Sequence, residues 1–191
     1  QCSGRNLCSG GDNTFLGHSA GRYNKTGGWN VYVGTYSGDG CNNNSASYNV
    51  AIGYESAGQI STGQYSAFVG FKAGCNNTTG TYNTFLGPEA GKNFSTGGYN
   101  IVIGNAACLS GTATGDKNII MGSYAARCIT SGSNNIALGE YALGSLGGAA
   151  FTSSNNVAVG SNALPQITGG NYNIGLGKCA GKVATDGQHN I

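Results

Sequence analysis

The sequence predicts an all-β fold, a parallel β-solenoid (β-roll) with about eleven coils of mostly 17 residues. Three observations carry that expectation. A five-residue unit recurs as NTFLG, NVYVG, NVAIG, SAFVG, NTFLG, NIVIG, NIIMG, NIALG, NVAVG and NIGLG, and a fixed period of this size marks one supersecondary unit per turn of a stack. Inside the unit the aliphatic residues alternate with a more variable one, which is the period of a strand. The composition, 36 glycines and 8% charged residues among 191, is far from the globular average, while 39% hydrophobic content is too high for a disordered polar tract.

Each coil opens on an asparagine, at Asn13, Asn30, Asn49, Asn83, Asn100, Asn118, Asn135, Asn156, Asn173 and Asn190, with Ser66 in its place once. Stacked on successive turns these amides would form a hydrogen-bonded ladder; the alternative is that Asn serves only because it tolerates turn conformations.

The strand follows. The residues one and three after the Asn are almost all Val, Ile, Leu or Met, with Thr14, Thr84 and Ala67 as exceptions, and their uniformity suggests that they point inward. The residue between them is Phe15, Tyr32, Phe68, Phe85, Val102, Ile120, Ala137, Ala158 or Gly175. Left outside, its bulky members would form a partner surface; otherwise they lie under the chain's own returns.

Next comes the repeat glycine, Gly17, Gly34, Gly53, Gly70, Gly87, Gly104, Gly122, Gly139, Gly160 or Gly177. A second short element follows, as in HSAG, FKAG and PEAG, whose third residue is nearly always Ala or Ser and so lets two backbone layers approach. A polar return containing Thr-Gly or a close variant, at Thr26, Thr62, Thr79, Thr96, Thr114, Thr168 and Thr185, closes the coil. Glycine there is expected to supply a positive φ. Seventeen residues give a contour of about 56 Å, and eleven coils a rod about 50 Å long.

The unit N-[VIT]-x-[VIL]-G followed by x-x-[AS]-[GA], best seen in NVAIGYESAG, NIALGEYA and NVAVGSNA, resembles the head repeats of YadA-like trimeric autotransporter adhesins and the same repeats in bacteriophage tail fibres. The pattern runs from Asn13 to Ile191. The resemblance implies a left-handed parallel roll and a trimer in which the apolar faces of three chains meet. The period here is longer than is usual in adhesin heads, which are also generally poor in cysteine.

Residues 1–191 read as a single repeat array that starts and ends in mid-repeat, as a window of a longer fibre or a unit of a head-to-tail polymer would. The seven cysteines, none in a C-x-x-C pair, do not fit a zinc site and read first as disulfides. Cys108 and Cys128, four and six residues past their glycines in adjacent coils, are the candidate internal pair. Cys2 and Cys179, each two residues past its glycine position, are the candidate link between subunits. The bland alternative makes most of them small buried apolar residues.

The seven acids, Asp12, Asp39, Glu55, Glu89, Asp116, Glu140 and Asp186, fall at differing phases of the repeat, so no face gathers paired carboxylates for acid and base work. The calcium signature G-G-x-G-x-D is absent, His18 and His189 read as surface residues, and no catalytic residue, metal or cofactor is expected. A net charge of +2 with scattered Lys and Arg argues against nucleic acid, and no apolar run approaches the length that spans a bilayer. Sequons at Asn24, Asn43, Asn76, Asn77 and Asn93 are candidate glycosylation sites in the returns.

These readings favour a non-enzymatic structural protein, an extracellular or cell- or virion-surface fibre or filament with adhesion as an added role, whose partners are copies of itself, end to end or as a trimer. The alternative is the receptor-binding segment of a phage or viral tail fibre or an adhesin head, touching a surface receptor or glycan through loops such as LGSLGGAAFTSSN. Ice binding is disfavoured because no T-x-T ladder appears.

Overall fold

The computed structural model describes residues 3–41, 44–109, 111–144, 150–182 and 187–190. Ten three-residue strands follow one another: β1 (Thr14–Leu16), β2 (Val31–Val33), β3 (Val50–Ile52), β4 (Ala67–Val69), β5 (Thr84–Leu86), β6 (Ile101–Ile103), β7 (Ile119–Met121), β8 (Ile136–Leu138), β9 (Val157–Val159) and β10 (Ile174–Leu176). They form one sheet in sequence order, every neighbouring pair parallel. Each coil therefore contributes one strand, and the expected β-solenoid is the observed architecture. Among the described residues there is no helix. The remainder of each coil is turns that bond to the next coil through the backbone, as from Gly21 N to Ser37 O at 2.9 Å and Gly74 N to Ala90 O at 3.0 Å.

The longer coils keep the strand register. Asn30 and Asn49 are 19 residues apart, Asn100 and Asn118 are 18, and Asn135 and Asn156 are 21, yet Val31 still pairs with Val50, Ile101 with Ile119 and Ile136 with Val157. The extra residues are absorbed in the returns, where insertions are cheapest.

The strand faces are the reverse of the sequence expectation. Tyr32, Ala51, Phe68, Phe85, Val102, Ile120, Ala137 and Ala158 are fully buried, whereas their aliphatic flanks are half-buried or exposed. The reason is the period of two. The opening Asn lies inside the coil, so the residue two further on must also face inward and those between and beyond must face out.

The buried strand residue faces the residue four past the glycine. A Cβ on Gly38 would lie 2.3 Å from the Tyr32 ring, one on Gly74 2.3 Å from Phe68, and one on Gly91 2.6 Å from Phe85. Large strand residues thus sit opposite glycine, while coils with a smaller one fill the space from the other side: Ala51 with Ala57, Val102 with Cys108, Ile120 with Ala126, Ala137 with Leu143 and Ala158 with Leu164. Except at Ala51 with Ala57, where both members are small, the summed volume per layer is nearly constant, as close packing requires. Beside these pairs, Ala20, Ala73, Ala90, Ala107, Ala125, Ala142 and Ala163 occupy the predicted small position and are fully buried.

Two kinds of glycine have different causes. The repeat glycines adopt φ of +112° to +138°, and a Cβ on Gly70 would meet the Gly87 carbonyl oxygen at 2.4 Å. The glycines that follow the return threonines do not have positive φ, contrary to expectation. Gly115 is glycine because a Cβ there would lie 1.9 Å from the Gly132 oxygen. The positive φ of the return falls instead on the residue before the Asn, including Trp29, Tyr48, Tyr65, Tyr82 and Tyr99 at 54° to 60°.

Candidate interaction faces

The asparagines form the ladder. Where Asn follows Asn, the side-chain oxygen accepts two bonds from the following coil, one from its backbone N–H and one from its amide: Asn118 donates both to Asn100 Oδ1, at 2.9 Å and 3.1 Å. Its Nδ2 also donates to the Gly132 carbonyl of its own return at 2.9 Å. Amide-to-amide bonds recur between Asn13 and Asn30, Asn30 and Asn49, Asn83 and Asn100, Asn118 and Asn135, Asn135 and Asn156, Asn156 and Asn173, and Asn173 and Asn190. Ser66 carries the chain across its coil, donating its N–H to Asn49 Oδ1 and accepting from Asn83 N at Oγ, both at 3.0 Å. A buried amide satisfied on every side is positioned, not reactive.

The outer strand face is apolar. Its two rows run from Thr14 to Ile174 and from Leu16 to Leu176, and only Thr14 and Thr84 are polar. Leu16 and Leu176 are 65% exposed, and Ile52, Leu86 and Met121 are 40–46% exposed.

An aromatic row borders this face. Trp29, Tyr48, Tyr65, Tyr82 and Tyr99 stack in sequence with centroids 4.8–5.0 Å apart and interplanar angles of 1° to 12°, and each is 41–56% exposed. At the opposite border Tyr54 stacks on Phe71 at 5.6 Å.

Charged groups lie along a third strip. Arg22 pairs with Asp39 at 2.8 Å, Lys72 with Glu55 at 3.2 Å and Lys92 with Glu89 at 2.8 Å. A cavity of about 290 Å³ opens beside Gly58, lined also by Tyr36, Asp39, Glu55, Gln59 and Cys75. Burial raises the Asp39 carboxyl above its usual range, against the pull of the Arg22 guanidinium. Both carboxylates already hold cations, so this recess assembles no acid and base pair.

Gly17, His18, Ser19, Ala20 and Gly21 spell G-x-S-x-G, a pattern that the repeat reading passed over. In hydrolases it marks a nucleophile on a strand-to-helix elbow. Here Ser19 is 2% exposed, and its φ of +57° is shared by the equivalent Tyr36, Glu55, Lys72 and Glu89. The strained backbone is the bend of every coil, and His18 packs edge-on against Tyr36.

The cysteine pairing is corrected. Cys108 and Cys128 are both buried, and no disulfide joins them. Cys108 donates its N–H to Ala125 O in the next coil, and the two-residue offset that the sequence shows keeps the sulfurs from bonding. Burial, and the neighbouring Cys128, push the Cys108 thiol well above its usual pKa. Cys2 lies outside the described residues; Cys179 is a half-buried free thiol, and Cys8 and Cys41 are exposed.

Two sequons are corrected as well. Asn24 and Asn77 are fully buried, because both point into the corner that Ile60, Phe94 and Ile129 fill in other coils, and a folded chain cannot present them for glycosylation. Asn76 and Asn93 are half-buried and bonded to each other at 2.7 Å. Asn43 lies outside the described residues, as do residues 145–149 of the longest return and 183–186 near the end, which include Thr185 and Asp186.

No family model, no curated protein and no solved structure matches this chain. Among the described residues no group of His, Cys, Asp and Glu is placed to hold a metal, and no helix is long and apolar enough to cross a membrane.

Proposed function

We propose that this protein is a non-enzymatic structural protein that builds an extracellular fibre by self-association of its solenoid along the outer strand face. The observation that carries this reading is that face. Its half-exposed aliphatic rows make a continuous patch on the order of 1,000 Å², well above the few hundred Å² that a soluble monomer ordinarily leaves in water. A second copy of this chain is the occupant proposed for it, because the stripe runs across all ten strands and is matched in length by the same stripe on another copy. Rods that meet along such stripes form closed bundles, of which a two-fold dimer is the smallest and a trimer is the one that the resemblance to adhesin heads implies.

Sedimentation and electron microscopy of the purified chain, with and without reductant, test the reading. Filaments or trimers are expected, and Val69→Asp with Ile103→Asp on the outer face should return the chain to monomers with an unchanged β spectrum. A stable monomer of the unaltered chain would overturn it. Loss of filaments, but not of trimers, under reductant would implicate exposed thiols such as Cys8 and Cys41 in joining the rods. Discrete short trimers without filaments would favour the adhesin-head or tail-fibre reading, in which irregular returns touch a surface receptor or glycan.

A further inference from the structure

We propose that the aromatic ladder carries a one-electron oxidation along the outside of the rod, from Trp29 into the tyrosines Tyr48, Tyr65, Tyr82 and Tyr99. Trp29 is the chain's one tryptophan. Its ring lies 4.9 Å from that of Tyr48 at an interplanar angle of 1°, and the next three steps are 4.8 Å, 5.0 Å and 4.8 Å at 7°, 9° and 12°. Parallel rings at this spacing bring their π-systems into contact, and electron transfer between aromatic groups slows steeply with every ångström that separates them. Four steps at the coil spacing make a path about 20 Å long, which a single jump would cross far more slowly than neighbouring rings exchange an electron.

A diffusible one-electron oxidant, such as an inorganic radical, takes one electron from the Trp29 indole, which releases its N–H proton to water and becomes a neutral radical. Tyr48 then gives one electron to Trp29 and its hydroxyl proton to water; the indole takes a proton back, and a phenoxyl radical remains on Tyr48. Each further step exchanges one electron and one proton between like tyrosines, so no charge builds up along the ladder. Tyrosine is the easier of the two side chains to oxidise when its proton can leave, which makes the first step downhill. The ladder tyrosines meet that condition, since each is 41–56% exposed. Tyr32, three residues from Trp29, does not: it is fully buried, and burial pushes its hydroxyl well above the usual range. The path ends at Tyr99 because Lys117, Asn134 and Asn155 hold its position in the next three coils, and none of these side chains accepts the oxidation. All five rings belong to one chain, so the inference is independent of self-association.

Pulse radiolysis of the full chain in azide solution tests the inference, because the azide radical attacks tryptophan in preference to tyrosine at neutral pH. The indolyl absorption should decay into the phenoxyl absorption in a first-order process whose rate does not depend on protein concentration. Tyr48→Phe keeps the stack but removes the first acceptor, leaving the nearest ladder tyrosine about 10 Å from Trp29 instead of about 5 Å, and should slow that process roughly tenfold or more. Tyr48→Phe with Tyr65→Phe should slow it further, whereas Tyr141→Phe, in the separate Tyr124 and Tyr141 stack, should leave it unchanged. A nitroxide that traps phenoxyl radicals, read by mass spectrometry, should mark Tyr82 and Tyr99 above the comparably exposed Tyr172, which the three intervening coils cut off from the ladder. In the double variant the marking of Tyr82 and Tyr99 should fall to the Tyr172 level. A conversion rate that Tyr48→Phe leaves unchanged, or adducts at Tyr82 and Tyr99 no greater than at Tyr172 in the unaltered chain, would overturn the inference.

Discussion

At the scale of the residue, the opening asparagine determines the rest of the coil. Its amide makes bonds that no aliphatic or acidic side chain of similar size reproduces: Asn118 accepts from Asn135 N and Nδ2 and donates to Asn100 and Gly132. Asn118→Ala should therefore cost about 2–4 kcal/mol, because it strands buried donors of the next coil as well as removing its own bonds. Asn118→Ser should cost less, as the native Ser66 bridge suggests; chemical denaturation of the two variants measures the difference, and equal losses would count against the ladder as the stabilising element. The recurrence of Asn was legible in the sequence. Its orientation was not deduced, although a buried ladder and inward-facing Val and Ile flanks are incompatible on a strand of period two. Nor was the strain that the preceding residue accepts. Tyrosine is uncommon at positive φ, and nothing in NTFLG or NIVIG signals that the residue before the unit is the one that turns.

At the scale of the element, each layer is a pair of facing positions with a shared volume. Gly74→Leu alone should destabilise the fold by several kcal/mol, since its side chain would enter the Phe68 ring. Adding Phe68→Ala should recover most of that loss, because the result copies Ala137 with Leu143. A thermal double-mutant cycle reads the coupling, and additive losses would refute the pairing. This complementarity is visible in the sequence once the register is known: Phe and Tyr in the strand accompany Gly four residues past the repeat glycine, and Ala137 and Ala158 accompany Leu143 and Leu164, although Ala51 faces Ala57. Without the register, the variable strand residue looked like a contact surface for other chains. The cysteine pairing failed for a related reason, since positions four and six of adjacent coils are neighbours along the axis but offset around the coil. The sequons failed because polar character alone does not distinguish the corner of a return that points inward, where Asn24 and Asn77 lie, from the part that faces water.

At the scale of the whole molecule, contacts between strands join each one only to the next in sequence, so the rod is a one-dimensional array whose stability accumulates coil by coil. A fault in the middle interrupts both halves. Gly87→Val places a β-branched residue at φ +124° with its Cβ 2.9 Å from the Gly104 oxygen, and should lower the melting midpoint by several degrees; an unchanged melt in differential scanning calorimetry would refute the register at β5. The overall architecture was the most legible feature of all, because ten copies of a degenerate motif constrain a stack far more tightly than one copy constrains a loop. The asparagine ladder adds a directional property to that stack. In every rung the donors belong to the later coil and the acceptor to the earlier one, so the side-chain amide moments point the same way, and ten of them at about 3.5 D each sum to an axial moment on the order of 30 D. A rod of this kind is an electrical vector: neighbours laid side by side in the same sense reinforce the moment and pay a repulsion for it, neighbours laid in opposite senses cancel it, and an applied field would orient the former and leave the latter unmoved.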